Sequence, residues 1–393
     1  MGVSETETLY YIDPALDETE ARVLHRSDDG LELVLDRTVF YPEGGGQPWD
    51  LGEIDGIALE SVKEADGRIV HRLSSPSGAS VDAKVRLRLD RSRRRDHAEQ
   101  HSAQHLLSAL LFKNHSIPTL SFHLGAQRST IDVDRADFPE ELRLGVEEEA
   151  NSAIGAGLRY ILHICPPEDL RSMPLRKAPP QGEEVIRVWE IEGLDFSPCG
   201  GTHMASTAEL RLFRINAVER YKGMTRLHFS AGGRAVAECL RLHREASAAS
   251  RLLSVSAEEL SAGAERLMAK AKDGAARADL LLGLLAARLV DSAAGAGPLV
   301  LDLSGAGAPA IEEGMKALKA RGRSGVVSVS ETATVAVAGR PGKALPPELS
   351  EAAKTLGGRG GGAQGSLRVA FAGAAAAAEF IGIALEILER SEK

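Results

Sequence analysis

Two short motifs, almost one hundred residues apart, constrain the fold of this chain more than any other feature. "HSAQH" carries His101 and His105, and "CGGTH" carries Cys199 and His203. On a helix, residues four apart lie on one face, about 5–6 Å apart at Cβ. The glycines of the second motif permit a tight turn. The four side chains can therefore converge on one metal ion if the helix and the distant turn meet.

One thiolate and three imidazoles favour zinc over magnesium or calcium. The alternative is coincidence, because a histidine pair on a helix is often only surface and a lone C-x-x-x-H often has no function. Both pairs fall in one predicted domain with workable spacing, which favours the metal site. Four protein ligands are typical of a structural site, whereas a catalytic zinc keeps one position open. The sequence leaves that choice open.

A glycine-rich stretch near the N-terminus, "TVFYPEGGGQP", places Gly44, Gly45 and Gly46 before Gln47. Successive glycines let a ligand approach backbone N–H groups, but they also form ordinary hairpin turns, and the turn is favoured for glycines alone. No Gly-Lys-Ser/Thr follows, so this is not a P-loop. Thr38 and Gln47 flank the turn with neutral hydrogen-bonding groups, which suit a small uncharged polar moiety.

The pattern along the chain predicts an α+β protein with four segments. Residues 1–90 contain alternating strands such as "RIVHRL" and predict a β-barrel or sandwich. Residues 91–235 alternate helices and strands around the metal motifs, and Ser102 and Gln104 are compatible with the first helix. Residues 236–292 predict two helices packed as an arm, and 297–393 predict a compact α/β unit.

Two details of the C-terminal half are specific enough to test. Ser256 is predicted to cap the second helix of the arm, with Glu259 completing a capping box. The stretch "LGGRGGGAQGS" predicts a flexible glycine loop, in which the Arg359 guanidinium could contact phosphate. Its glycine motif comprises Gly360, Gly361 and Gly362.

The net charge of −9 means that the whole molecule does not attract polyanions, so nucleic acid would have to bind local basic patches. One such run precedes the "HSAQH" helix and another follows "CGGTH". Basic runs are usually solvated faces, but here both flank predicted metal ligands. The candidate RNA-binding residues are Arg91, Arg94, Arg95, Lys222, Arg226 and Arg359.

Three cysteines, Cys165, Cys199 and Cys239, are too few and odd in number for a disulfide framework. No export signal and no apolar run of membrane-spanning length is apparent. A reducing cytoplasm is the expected compartment.

Four motifs in order, "TVFYPEGGGQP", "HSAQHLL", "SFHLG" and "CGGTH", resemble the editing domain of alanyl-tRNA synthetases, and still more the free-standing AlaX alanyl-tRNA editing proteins. The glycine cluster near the C-terminus resembles the DHH-associated domain that ends the long AlaX form. The resemblance spans nearly the whole chain. It implies a β-barrel-like glycine-motif domain, a zinc-containing editing domain, a helical arm, and a DHH-associated domain for tRNA binding and dimerisation.

The resemblance implies a hydrolase that cleaves the ester of tRNA(Ala) mischarged with serine or glycine. It implies a Zn²⁺ cofactor, with His101, His105, Cys199 and His203 as its ligands. Thr38 falls at a threonine linked to accepting or rejecting the seryl side chain, and Gln47 at a motif that faces the pocket. His123 of "SFHLG" could position the ester or the RNA, although a satisfied core or surface histidine is equally compatible. Many synthetases have threonine where this chain has Gln104.

Three other functions remain to be weighed. A DHH-type phosphoesterase shares the C-terminal domain, but its Asp-His-His motif is missing from the sequence. A non-catalytic, zinc-stabilised factor could hold tRNA without cleaving it. A related serine-editing fold in threonyl-tRNA synthetases acts on another tRNA, but "CGGTH" and the terminal domain favour the alanine system.

Overall fold

The computed structural model describes residues 6–65, 67–125, 128–182, 185–363 and 365–393. It divides into two compact units, Met1–Glu245 and Ala246–Lys393. Both units contain helices and strands, which agrees with the predicted α+β class. The division into four segments is finer than these two units and stays a prediction. Gln364, within the predicted glycine cluster, lies outside the described residues.

The first part of unit 1 is a set of short strands around an aliphatic and aromatic core. Along "KVRLRL", buried and exposed residues alternate, as expected for a strand with one face inside. Six strands pair in the order β2-β3-β7-β6-β5-β8, and β8 pairs again with β2, while β1 pairs in parallel with β4. The elements are β1 (Glu7–Thr8), α1 (Leu9–Ile12), β2 (Glu18–Arg26), β3 (Glu32–Leu35), β4 (Arg37–Thr38), β5 (Gly52–Ile54), β6 (Ile57–Ala65), β7 (Arg68–Leu73) and β8 (Lys84–Leu89).

The second part of unit 1 surrounds a long central helix with two sheets. The sheet orders are β14-β15-β10-β9 and β11-β12-β13. The elements are α2 (Arg91–His115), β9 (Thr119–Leu124), β10 (Ser129–Val133), α3 (Glu140–Ala156), β11 (Tyr160–Cys165), β12 (Ile186–Ile191), β13 (Asp195–Pro198), β14 (Phe213–Tyr221) and β15 (Met224–Ala231).

Helix α2 begins at a cap, because the Asp90 side chain accepts from the Arg93 N–H, and it ends at Ser116 in the left-handed conformation. From His97 to Leu111 every residue is buried, including polar ones. A helix enclosed in this way must satisfy its polar side chains internally. Its middle is therefore where a functional centre can be held rigidly.

Unit 2 is a five-stranded sheet with helices. Its order is β16-β17-β18-β20-β19, with β16 and β17 parallel and the other pairs antiparallel. Helix α4 crosses the unit boundary. The elements are α4 (Gly232–Leu253), α5 (Leu260–Ser292), β16 (Leu299–Asp302), α6 (Pro309–Ala320), β17 (Gly325–Val329), β18 (Thr334–Ala338), α7 (Glu348–Thr355), β19 (Arg359–Gly361), β20 (Ser366–Ala370) and α8 (Ala374–Glu392).

Both specific predictions for the C-terminal half need correction. Helix α5 begins at Leu260 rather than after Ser256, although the Ser256 N–H donates to Glu259 Oε2 at 3.4 Å, which is one half of the expected box. The glycine cluster is not a free loop at Arg359–Gly361, because this segment pairs with β20. A Cβ at Gly360 would collide with the Arg368 carbonyl, so close strand packing accounts for this glycine.

Among the described residues, no helix is both long and apolar enough to cross a membrane. The three cysteines are all free, which agrees with the expected lack of a disulfide framework.

Candidate metal centre and adjoining cavity

The two motifs meet in the structure. The nitrogen and sulfur ligand atoms of His101, His105, Cys199 and His203 all lie within 4.8 Å of one another. Cys199 Sγ is 3.3 Å from His101 Nε2. Tetrahedral zinc, with bonds of about 2.0–2.3 Å, would hold its ligand atoms roughly 3.3–3.8 Å apart. The predicted convergence is confirmed, and the cluster could hold a metal ion.

Gln47 orients the first histidine. Its Oε1 accepts from the Thr202 N–H at 3.1 Å and lies 2.8 Å from His101 Nδ1, while its Nε2 donates to Thr202 Oγ1 at 2.9 Å. The Thr202 N–H identifies this atom as the amide oxygen, which can only accept. His101 Nδ1 must therefore carry a proton and donate it to this oxygen. This leaves the His101 Nε2 lone pair directed at the cluster.

Ser102 contacts the last histidine through a hydroxyl, which can donate or accept. Its hydroxyl oxygen accepts from the Met204 N–H at 2.9 Å and lies 3.3 Å from His203 Nδ1. The opposite nitrogen, His203 Nε2, is buried and has no partner among the described residues. An orphaned imidazole nitrogen is costly in a dry interior. A metal ion in the cluster would satisfy it, so the residues present fit such an ion.

Burial sets the protonation states of these side chains. Desolvation lowers the pKa of His101 to about 3 and the pKa values of His105 and His203 well below the usual range. All three imidazoles are therefore neutral at pH 7, the form that binds metals. Desolvation raises the pKa of the Cys199 thiol, while the Gly201 N–H donates to its sulfur at 3.4 Å.

Glycine is required at two points around the cluster. A Cβ at Gly201 would overlap the His101 ring, so the "CGGTH" turn can approach the helix only with glycine there. The first glycine motif forms a hairpin turn, in which Gly44 and Gln47 exchange both backbone hydrogen bonds. Gly45 and Gly46 have φ of 56° and 81°. The turn interpretation is therefore correct, and its function is to carry Gln47 into the site.

A cavity of about 190 Å³ adjoins the cluster. His105 belongs to both. The cavity has polar, cationic and apolar walls, formed by Gln104, His105, Thr119, Ser121 and Ser197, by Arg176 and Lys177, and by Phe112, Pro118, Leu120 and Phe122. Arg176 donates to both carboxylate oxygens of Asp195 at 3.0 Å, whereas desolvation near the cluster lowers the pKa of Lys177. A small polar group could enter beside the metal ligands.

Two other predicted site residues are not part of the cluster. Thr38 is fully buried; its hydroxyl lies 2.8 Å from His71 Nε2 and accepts from the Phe40 N–H at 3.1 Å. His123 is exposed on β9, one residue after Phe122, whose ring lies 5.7 Å from His101. Since neighbours on a strand point to opposite faces, His123 points away from the cluster. A role for either residue stays a prediction.

Arg94 requires a correction among the candidate RNA contacts. It is buried, donates to Asp50 through Nε and Nη2, and donates to the Val39 carbonyl at 2.7 Å. A guanidinium held in this way is not available to a phosphate. Arg91, which pairs with Asp17 at 3.0 Å, and Arg95, which pairs with Glu99 at 3.1 Å, keep at least half of their side chains exposed.

The second basic run forms a compact group at the turn between β14 and β15. The Arg226 guanidinium lies 3.7 Å from the centre of the Tyr221 ring and pairs with Asp132, while Lys222 Nζ lies 5.0 Å from the same ring. An aromatic ring flanked by two cations can contact bases as well as phosphates. Arg359 is exposed on β19, in unit 2.

Sequence reasoning missed the roles of Ser102 and Gln104 between the two histidines. Both are buried, and Ser197, on β13, was not considered at all. The available signal was that these polar residues stand among apolar residues in the middle of a helix. The partners of the Ser102 hydroxyl, Met204 and His203, come from a distant segment and could not be read from the local pattern, whereas Gln104 bonds to Ser108 on the same helix.

A family model described as the threonyl and alanyl tRNA synthetase second additional domain matches residues 186–228, which include Cys199 and His203. The other two clustered residues, His101 and His105, lie outside the matched range.

The chain resembles the AlaX-type alanyl-tRNA editing proteins, as predicted. It is 34% identical to alanyl-tRNA editing protein AlaX-L of Pyrococcus horikoshii over 252 residues, 61% of this chain and 61% of that protein. It is 33% identical to an alanyl-tRNA editing protein of Mus musculus over 58% of this chain and 56% of that protein. It is also 33% identical to alanine–tRNA ligase of Pyrococcus abyssi over 73% of this chain and 32% of that enzyme. The chain thus matches less than two thirds of the length of each relative.

Proposed function

We propose that this protein is a zinc-dependent aminoacyl-tRNA deacylase that hydrolyses the ester of Ser-tRNA(Ala), Gly-tRNA(Ala) or both, in trans. The convergence of His101, His105, Cys199 and His203 beside a small polar cavity carries the proposal. The similarity to proteins named for alanyl-tRNA editing supports it. The three free cysteines support a reducing compartment such as the cytoplasm.

The four clustered side chains would hold the zinc ion, with Gln47 and Ser102 fixing the directions of two imidazoles. A bound zinc ion supplies charge that can polarise an ester carbonyl or orient the substrate. The chain's contribution is a dry, rigid wall, because the ligands lie on a fully buried stretch of α2 and on a glycine turn packed against it. The vicinal ribose hydroxyl of the terminal adenosine would assist the attack of water.

The exposed basic residues Arg91, Arg95 and Lys222 would lead the acceptor end of tRNA to the site, and Arg226, partly buried and paired with Asp132, would add to them. Arg91 and Arg95 lie at the start of the helix that bears two ligands, and Lys222 and Arg226 surround Tyr221. Phosphate contacts of this kind fix position without reading the amino acid. Substitutions here should weaken binding of all tRNA forms alike.

The decisive experiment is deacylation of seryl-, glycyl- and alanyl-tRNA(Ala) by the pure protein, with its metal content measured in parallel. We expect hydrolysis of the seryl or glycyl ester and sparing of the alanyl ester. We also expect one zinc ion per chain. The proposal is wrong if Cys199→Ala keeps both the zinc content and the hydrolysis of Ser-tRNA(Ala).

One observation favours a second function, a zinc-stabilised factor that binds tRNA without cleaving it. Four protein ligands fill a tetrahedral shell, which is typical of structural zinc. An assay of mischarged tRNA with and without a chelator separates the two functions. Binding without hydrolysis in the zinc-loaded protein would establish the second.

Unit 2 would supply further tRNA contacts through Arg359 and could mediate a homodimer, as predicted for a DHH-associated domain. Helix α5 supports the dimer, because several of its large apolar side chains are exposed, among them Leu267, Met268, Leu280, Leu281 and Leu284. Exposed apolar patches of this kind mark contact surfaces. Sedimentation of the full chain over a range of concentrations tests this proposal.

A further inference from the structure

A partly buried arginine beside the "CGGTH" turn has no counter-ion among the described residues. Arg187 Nε is enclosed without a partner, whereas Nη1 and Nη2 are not enclosed and form no hydrogen bond within the described part of the chain. Desolvation lowers the pKa of Arg187, but a guanidinium remains protonated at pH 7. Arg176, by contrast, donates to both carboxylate oxygens of Asp195. A charge withdrawn from water without an anion costs free energy, which points to an anion supplied by a ligand.

Strand pairing places Arg187 at the rim of the metal cluster. Arg187 lies on β12, and its carbonyl accepts from the Cys199 N–H at 3.0 Å. Residues opposite each other in an antiparallel pair project from the same face, so the Arg187 side chain shares a face with Cys199. Trp189, two residues further along β12, lies on that face too, and its ring centre is 4.6 Å from that of His203. This face therefore leads from the buried cluster, at Trp189, to the partly exposed Arg187.

Tyr11 restricts the position of the guanidinium. Arg187 Cζ lies 3.8 Å from the centre of the Tyr11 ring, and the Tyr11 hydroxyl donates to the Gly200 carbonyl at 2.7 Å. Stacking of a guanidinium on an aromatic ring is favourable and leaves the positive charge in place. The cation is thus held against the turn that carries Cys199 and His203.

The chemistry of the proposed substrate identifies the anion. In an aminoacyl-tRNA the carboxyl group is esterified and the amino group is cationic, so the backbone phosphates are the anions. The phosphate nearest the ester joins the terminal adenosine to the preceding nucleotide. An ester held at the cluster brings this phosphate within one nucleotide of it. A guanidinium can donate two parallel hydrogen bonds to phosphate oxygens.

We propose that Arg187 binds the phosphodiester on the 5′ side of the terminal adenosine through Nη1 and Nη2, and thereby positions the ester at the cluster. The inference rests on the proposed function and adds a positioning residue to it. The exposed basic residues would guide the acceptor end as a whole, whereas Arg187 would fix one phosphate relative to the ester. Such a contact is independent of the amino acid.

The test compares two ligands that differ only in this phosphate. They are amide-linked, non-hydrolysable analogues of seryl-adenosine, with and without a 5′-methyl phosphodiester, and calorimetry measures their binding to the full zinc-loaded chain at one ionic strength. We expect the phosphodiester to raise the affinity of the unaltered chain by about tenfold to a hundredfold. Arg187→Met should lose most of this gain. Its affinity for the phosphate-free analogue should stay the same, because only the phosphate contact is removed.

Two further variants make the result specific. Arg22→Met makes the same substitution at an exposed arginine on β2 and should leave the gain unchanged. Arg187→Lys keeps a positive charge but lacks the paired donors of a guanidinium, so it should keep only part of the gain, and it serves as the test if Arg187→Met does not fold. Zinc content and the thermal transition show which variants are folded. A merely structural role for Arg187 would change the affinity for both analogues alike.

The inference is overturned if the phosphodiester does not raise the affinity of the unaltered chain, or if folded, zinc-loaded Arg187→Met or Arg187→Lys keeps the whole gain. Failure of the proposed function has a different signature. In that case neither Ser-tRNA(Ala) nor Gly-tRNA(Ala) is hydrolysed, while the pair of analogues still reports whether Arg187 binds the phosphate.

Discussion

At the scale of single residues, the centre depends on side chains that never touch the metal position. Gln47 accepts from the Thr202 N–H of "CGGTH" and thereby sets the tautomer of His101. Ser102 accepts from the Met204 N–H, directly after the motif, and its hydroxyl contacts His203 Nδ1. Such partners raise metal affinity because they remove the freedom of the ligand ring. Gln47 is thus a positioning residue in this structure.

Replacing Gln47 should therefore weaken metal binding without removing a ligand. For Gln47→Leu we expect zinc affinity to fall by about 10–100-fold, because His101 loses its orienting acceptor. Competition with a chromophoric chelator measures the affinity, and Gln181→Leu is the matched exposed control. An unchanged zinc affinity in Gln47→Leu would contradict the role assigned to the hydrogen bond.

The two glycines of "CGGTH" should differ sharply in their tolerance of a methyl group. Gly201→Ala places a Cβ in the His101 ring, whereas a Cβ at Gly200 meets only the Tyr11 hydroxyl oxygen, at 3.2 Å. We expect Gly201→Ala to lose most of its zinc and Gly200→Ala to keep it. Zinc content after dialysis decides the question, and equal retention by both variants would argue against close approach of the turn.

His71 should make unit 1 sensitive to acid. Complete burial lowers its pKa from 6.5 to about 4, so between these values the unfolded chain binds a proton that the folded chain excludes. Stability therefore falls as pH falls through this window, by about 2 kcal/mol for this residue between pH 7 and pH 5. Urea unfolding can be followed by the fluorescence of Trp49 and Trp189, both in unit 1. In His71→Gln the pH slope should shrink by that amount, and an identical slope would exclude the effect.

At the scale of elements, α2 links the first strands to the metal centre. Its first turn is basic and partly exposed, its middle is buried, and Arg94 joins it to Asp50 before the ligands begin. The three neighbouring arginines of "RRR" therefore do not share one environment. A position one residue along a helix turns by about 100°, which is enough to exchange solvent for the interior.

This difference predicts two distinct phenotypes within one basic run. Arg94→Ala leaves Asp50 as a buried unpaired charge and should cost about 3–5 kcal/mol of stability. Arg91→Ala, at a side chain that is 71% exposed, should change stability by less than about 0.5 kcal/mol. Arg91→Ala should instead lower tRNA affinity, and the slope of log affinity against log salt concentration should shrink by about one, the value for one lost phosphate contact. Equal loss of stability in both variants would refute the assignment.

The local elements could be predicted well because their signals are local. Period-two alternation identified β7 and β8, helical periodicity identified α2 and α3, and the spacing of four residues placed His101 above His105. The predicted helix start at Ser256 and the predicted flexible loop around Arg359 were wrong, because packing decides where a helix begins and whether a segment finds a strand partner. The hydrogen bonds of the Ser102 hydroxyl could not be foreseen, since their partners Met204 and His203 come from a segment about one hundred residues away.

At the scale of the whole molecule, the candidate metal site belongs to one of two compact units. All four clustered residues lie within Met1–Glu245, together with both tryptophans. Unit 2 has its own sheet and its own buried clusters, around Phe380 and around Leu318. Linkage between a ligand and folding acts on the structure that forms the binding site.

Removing the metal should consequently lower the melting temperature of unit 1 selectively. With free zinc at about 1,000 times its dissociation constant, binding stabilises the folded unit by about 4 kcal/mol, which corresponds to roughly 10 °C for a unit of this size. Calorimetry with and without a chelator should show one transition that moves with tryptophan fluorescence and another that stays in place. In Cys199→Ala the first transition should already lie near its chelated position, since the weakened cluster gains little from zinc. If both transitions moved together and equally, the ion would be stabilising the chain as one cooperative body, and the confinement of its effect to unit 1 would be wrong.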